Sequence, residues 1–136
     1  MLRFPTVLAV AATILLGVGG CGPIKEDKMA SGFYYATKGY REAIRWGAFG
    51  PAAGFLHPDE RVDVDYDNLE NVRITGYEVI QPAVITPQRT AVQQVRIEYV
   101  LKNRQVLKSL TDRQEWRWDD EGSTWWLHSG LPEFDT

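Results

Sequence analysis

The residues of this chain that could do chemistry are few and scattered. The run Asp63-Val64-Asp65-Tyr66-Asp67-Asn68 alternates carboxylates, as in loops that surround a calcium ion with oxygens. Such a loop needs Gly at its sixth position and Glu at its twelfth, where this chain has Asn68 and Ile74. An acidic strand edge or turn facing water accounts for the run more simply. His57 and His128 are the only histidines, and a zinc site built on them would need carboxylates from distant positions. His57 precedes a proline and is expected in an exposed loop. Ser109, Ser123 and Ser129 lack the Gly-x-Ser-x-Gly elbow of a nucleophilic serine, and no glycine-rich loop could cradle a phosphate. Tyr40, Asp112 and His128 are of types that move protons, but no spacing ties them together. No metal or cofactor is expected.

One side chain stands apart. Cys21 is the only cysteine, so no internal disulfide can form. Before it, Arg3 precedes an apolar run from Phe4 to Val18, closed by the small residues Gly19 and Gly20. A basic start, an apolar stretch and a small-residue cleavage site make a secretory signal. The stretch is short for a bilayer span, which needs about 20 residues. Val18-Gly19-Gly20-Cys21 resembles the lipobox of bacterial lipoproteins, with Val in place of the commoner Leu. The resemblance implies that residues 1–20 are removed and that the Cys21 thiol carries a diacylglycerol. The new amine would take a further acyl chain such as palmitate. Two or three chains hold a protein stably on a membrane, where one holds it marginally. Gly22 follows instead of the aspartate that retains such proteins at the inner membrane of enteric-type bacteria. The resemblance therefore points to the outer membrane, facing the periplasm.

The chain has 136 residues, 44% hydrophobic and 24% charged, with a net charge of −3. That balance belongs to one globular domain. Lys and Arg form no patch, which argues against nucleic-acid binding. Five Trp enrich a small core, since aromatic side chains bury large areas.

The elements that must position these residues follow from periodicity. Residues 21–30, with Lys25, Glu26, Asp27 and Lys28, have none, and are expected as the lipidated cysteine and a polar tether. Residues 31–136 form the domain. Ser31 is a plausible N-cap for a helix running to about Phe49. Phe33, Ala36, Tyr40, Ala43, Ile44 and Gly47 make its apolar face. Gly50-Pro51 is expected to end it, and Pro51 to open a second short helix that stops at His57-Pro58. Val62 and Val64 suggest a short edge piece. Strand-like alternation covers Val72 to Val79, and Pro82 and Pro87 rule out a continuous central strand over Gln81 to Gln88. Val92 to Lys102 places Val95, Ile97, Tyr99 and Leu101 on one face. Asn103-Arg104 turns the chain into Gln105–Asp119, with Trp116 and Trp118 on one face. Asp119 to Ser123 is a hairpin loop, Gly122 supplying its positive φ. The last strand puts Trp125 and Leu127 on one side, Trp126 and His128 on the other.

Helices followed by three to five antiparallel strands make an α+β fold. The element order and aromatic-rich terminal strands resemble the cystatin-like cone of the nuclear-transport-factor-2-like superfamily, in which N-terminal helices pack on a curved antiparallel sheet. Tyr40 to Gly47, Arg113 to Trp118 and Trp125-Trp126-Leu127 resemble a group of uncharacterised proteobacterial lipoproteins. Tyr40, Trp116, Trp118, Trp126 and His128 are then the candidates for a pocket or partner surface. Packing within the core or across the hairpin is the simpler use of the tryptophans.

Two functions are compatible with these features. One is a non-enzymatic, envelope-anchored domain that binds an envelope protein or a small apolar ligand. The other is a small cavity enzyme, isomerase- or hydratase-like, of the same fold. Cys21→Ser should abolish both lipid labelling and signal processing. A variant that still labels with palmitate, or whose mature chain still begins at residue 21, would contradict the lipobox.

Overall fold

The computed structural model describes residues 22–136. The expected signal sequence and lipobox, with Cys21, lie outside the described residues. The elements run α1 (Gly22–Arg45), α2 (Phe49–Ala53), a 3-10 turn (Pro58–Glu60), α3 (Tyr66–Leu69), β1 (Val72–Gln81), β2 (Thr90–Leu101), β3 (Val106–Asp119) and β4 (Thr124–Leu127). The fold is α+β, one long helix with an open antiparallel sheet of order β1-β2-β3-β4. Among the described residues no helix is long and apolar enough to cross a membrane.

The helix is longer than its apolar period predicts. α1 begins by Gly22, so the segment expected as a tether is helical and Ser31 lies within the helix, exposed, rather than at its cap. Lys25 to Lys28 are exposed and give no period. Among residues 25–30 only Met29 turns inward, 7% exposed, and its carbonyl accepts the indole N–H of Trp125 at 2.8 Å. That contact is tertiary and leaves no trace in local spacing. Pro23 suits a first turn, where a missing N–H costs nothing. The other end also comes early. Gly47, at φ 69°, donates to Ile44 O at 3.0 Å, and Ala48 donates to Ala43 O at 2.8 Å. This pair of bonds is a Schellman stop. Gly50 and Pro51 therefore fall inside α2, in a first turn that tolerates proline.

The expected edge piece at Val62–Val64 is a turn leading into α3. Asp65 accepts the Asn68 backbone N–H at 3.2 Å and caps that helix. A two-residue alternation is too short to outweigh a cap.

The strands keep closely to their patterns. β2 and β3 pair without a break from Thr90↔Arg117 to Leu101↔Val106. Val95, Ile97, Tyr99 and Leu101 are all buried on the face that α1 covers. β1 carries two register shifts, at Ile74/Gly76 and Val79/Gln81, and pairing stops before Pro82. In the last hairpin Trp118 pairs with Trp125, rings 5.7 Å apart. Its loop is exposed as expected, but the left-handed residue is Ser123, at φ 48°, and not Gly122. The outer edge of β4 is covered by the chain after α2. Leu127 N–H donates to Phe55 O and His57 N–H to Leu127 O, both at 2.9 Å. The C-terminal tail returns across the far end, where Phe134 packs on Tyr99 and Phe49.

Tyr40, Ile44, Val95, Ile97 and Trp116 are all fully buried in one core. The Gly47 turn holds the end of α1 in a conformation that costs other residues about 1–2 kcal/mol. Gly47→Ala should therefore lower the unfolding free energy in urea by ~1 kcal/mol. Gly50→Ala, with open space around its Cα and no positive φ, should be neutral or stabilising. The reverse ranking would mean that α1 does not stop at this turn.

Candidate functional site

Three sets of side chains could carry function, and they sit in different places.

The first is a polar cluster inside the core. The face of the sheet under α1 carries Tyr77 from β1, Gln93 from β2, and Asp112 and Gln114 from β3. Gln93 and Gln114 are direct partners across the strands. Gln114 is fully buried and uses its whole amide. Its Nε2 donates to Tyr77 Oη at 2.9 Å and to Asp112 Oδ2 at 3.0 Å. Its Oε1 accepts from Gln93 Nε2 at 2.8 Å and from Trp116 Nε1 at 3.3 Å. The Tyr40 hydroxyl, equally buried, has no hydrogen-bond partner among the described residues. Burial pushes the Asp112 carboxyl up to about 6, against the opposing bond from Gln114. It also raises the Tyr77 phenol to about 12 and the Tyr40 phenol well above its ordinary value. Two separate grooves touch this cluster. One, of about 430 Å³ beside α1, is lined by Tyr77, Gln93, Arg41 and Lys38. The other, of about 290 Å³ between β3 and the tail, is lined by Asp112, Arg113 and Glu133.

The second set lies on the opposite face of the sheet. The rings of His57 and His128 stack at 4.7 Å, with Trp126 edge-on to His57 at 6.3 Å. The Arg61 guanidinium covers Trp126 at 5.4 Å. Burial, then the nearby Arg117 and His57, hold the His128 imidazole below its ordinary value. Among the described residues no three His, Cys, Asp or Glu side chains gather as metal ligands. Asp63, Asp65 and Asp67 are exposed, and Asp65 is occupied as a helix cap.

The five aromatic and histidine candidates are therefore not one surface. Tyr40 and Trp116 are wholly buried in the core and face no groove, while Trp118 is half-buried beside Trp125. Trp126 and His128 point away from the helix, so His128 faces no space between helix and sheet. The alternation of the strands predicts this split, because residues 126 and 128 are out of phase with 116 and 118 across the hairpin register.

The third set is a groove of about 770 Å³ at the C-terminal end of α1. It is lined by Arg45, Trp46, Tyr66, Glu70, Arg73 and Lys102, among others. Trp46, just after the helix, is 82% exposed. Arg45 is committed, donating to Ile74 O at 3.1 Å. Arg73 and Lys102 have no ion-pair partner among the described residues. No periodicity signals this groove, because its residues come from five segments. The one sign in the sequence is Trp46 itself, a large apolar residue off the apolar face through Tyr40, Ala43 and Ile44.

Comparison of the chain with protein-family profiles, with curated proteins and with solved structures found no match.

The raised Asp112 value has a signed consequence. Between about pH 4 and 6 the folded chain keeps a proton that the unfolded chain has released. Stability therefore falls as pH rises through that window. The loss at neutral pH is roughly 2–3 kcal/mol. Asp112→Asn keeps the acceptor for Gln114 and removes the titration. It should be more stable than wild type at pH 8 and equal to it at pH 4. Parallel stability curves for the two proteins would show that Asp112 is solvated.

Proposed function

We propose that the protein is a lipid-anchored, non-catalytic binding domain of the bacterial cell envelope. It offers a cationic groove with aromatic edges to an acidic segment of a partner protein. The observation that carries this reading is Trp46, which stands almost wholly in solvent beside two cations that lack partners among the described residues. Exposed tryptophan and arginine are the side chains that most often dominate binding energy at protein interfaces. The groove's single acidic lining residue, Glu70, leaves its balance positive, so an acidic segment fits it. The signal sequence and the Val18-Gly19-Gly20-Cys21 lipobox support the anchor. Gly22 after the cysteine, in place of an aspartate, supports a place at the outer membrane, facing the periplasm. With α1 about 36 Å long for its 24 residues, a groove at its far end stands well away from an anchor at Cys21.

A long helix followed by a four-stranded antiparallel meander supports the likeness to the cystatin-like cone. In that fold the enzyme alternative would need Tyr40, Asp112 and His128, with the neighbouring Tyr77, to converge on one cavity, and His128 lies on the other face of the sheet. Tyr77 and Asp112 border different grooves, and Tyr40 borders neither. Their arrangement favours a packed core over an active site.

The test is a crosslinking pull-down from intact envelopes. Trp46→Ala should weaken capture of the partner by about 30-fold or more, the effect of losing a 2 kcal/mol anchor. Adding Arg73→Glu should abolish it. Both substitutions are on exposed residues and should leave the melting temperature unchanged. Undiminished capture by the double variant would move the binding surface elsewhere.

A further inference from the structure

The end of the domain opposite the Trp46 groove carries an apolar loop, and its position relative to Cys21 gives it an occupant. From Val79 to Gln88 the chain has ten residues without a charge. The segment is not loose. Thr86 N–H donates to Thr90 O and Arg89 N–H to Thr86 O, both at 2.9 Å, and the Thr86 and Thr90 hydroxyls meet at 2.8 Å. Trp118 N–H donates to Arg89 O at 3.0 Å. Ala83 and Ile85 pack against the core. Val84, between them, is turned outward and 79% exposed. An ordered backbone thus holds an aliphatic side chain in solvent, flanked by the exposed Pro82 and Pro87.

This loop lies beside the start of α1. Ile85, Thr86, Pro87 and Arg89 line a groove together with Lys25, Glu26 and Met29. Asp120, at the tip of the β3–β4 hairpin, is paired with both Arg89 and Lys25. Lys25 is four residues from Cys21 in the sequence, and the three steps of helix from Gly22 to Lys25 rise about 4.5 Å at 1.5 Å per residue. The headgroup layer on each side of a bilayer is itself roughly 5–7 Å thick. With a helix from Gly22 there is no flexible spacer to lift the domain. Whatever surrounds the first turn of α1 must then lie against the headgroups.

We infer that the loop 82–88 is the membrane-facing surface of the anchored domain, with Val84 entering the headgroup–acyl boundary. The inference rests on the lipid anchor proposed above. The partner is a zwitterionic lipid surface rather than an anionic one. The loop has no cation to offer, Lys25 and Arg89 are engaged by Asp120, and Asp119 and Glu121 at the hairpin tip repel negative headgroups. The membrane would fix the domain upright, with the Trp46 groove facing away.

The test uses the mature, lipidated chain on phosphatidylcholine vesicles. Lipidation consumes the native thiol, so single cysteines at Val84→Cys, Tyr35→Cys and Leu107→Cys can carry an environment-sensitive fluorophore. Tyr35 is exposed along the helix, and Leu107 is 66% exposed at the far end. The label at 84 should shift to the blue and be quenched several-fold more by headgroup-level nitroxide lipid than the labels at 35 and 107. A dominant signal at 35 would mean that the domain lies on its helix, and overturns the inference. So would equal signals at all three positions. So would silence at 84 in protein that floats with the vesicles and carries acyl chains by mass spectrometry, a result that leaves the anchor standing. A chain that neither carries acyl groups nor floats removes the anchor and the docking together.

Discussion

The contact between α1 and the tryptophans of β3 and β4 governs the rest of the molecule. A four-stranded open sheet has one face to bury, and α1 covers it together with the α2 region and the C-terminal tail. Phe33 meets Trp125 at 5.1 Å and Trp116 at 6.3 Å, and Tyr40 meets Trp116 at 5.6 Å, all edge-on. Each such ring removes some 150–250 Å² from water, and edge-to-face pairs add to that. Two polar contacts then fix the helix lengthwise. Trp125 holds Met29 near one end, and Arg45 bonds Ile74 O at the other. Gly39 completes the fit on the α2 side, because a Cβ there would stand 2.8 Å from the ring of Phe55.

Fixing the helix at both ends separates the two ends of the domain. Where α1 stops, at the Gly47 turn, Trp46 stands in solvent beside Arg73 of β1 and Lys102 just after β2. Where α1 starts, the uncharged loop and the hairpin tip gather around Lys25. The two surfaces differ in chemistry, one cationic and aromatic, the other aliphatic. A lipid at Cys21 would turn that difference into an orientation.

The polar cluster beneath the helix is a different sort of feature. Its hub, Gln114, is fully satisfied, while the Tyr40 hydroxyl is not, an arrangement that costs about 1–3 kcal/mol. Asp112 is close to titrating at neutral pH, but it is held by Gln114 and shares no groove with Tyr77. Its consequence is a core whose stability depends on pH.

The elements whose signals are local were legible in the sequence. The alternation of Val95, Ile97, Tyr99 and Leu101, the apolar face through Tyr40 and Ile44, the prolines that end β1 and the charged hairpin at Asp119 to Ser123 all depend on neighbours along the chain. The likeness of residues 18–21 to a lipobox is local too, and it rests on the sequence alone. Gln93 and Gln114 are in phase with buried neighbours, so their burial was readable, although their mutual bond required the strand register. What only the tertiary structure decided is where distant segments meet. The helical stretch before Ser31 is tied to the sheet by Trp125, 96 residues from the Met29 carbonyl to which it donates. The split of Trp116 from Trp126, the stacking of His57 on His128, the Trp46 groove and the loop beside Lys25 all join segments far apart in the chain. Periodicity reports which side of its own element a residue occupies. It carries no information about what the next layer places opposite.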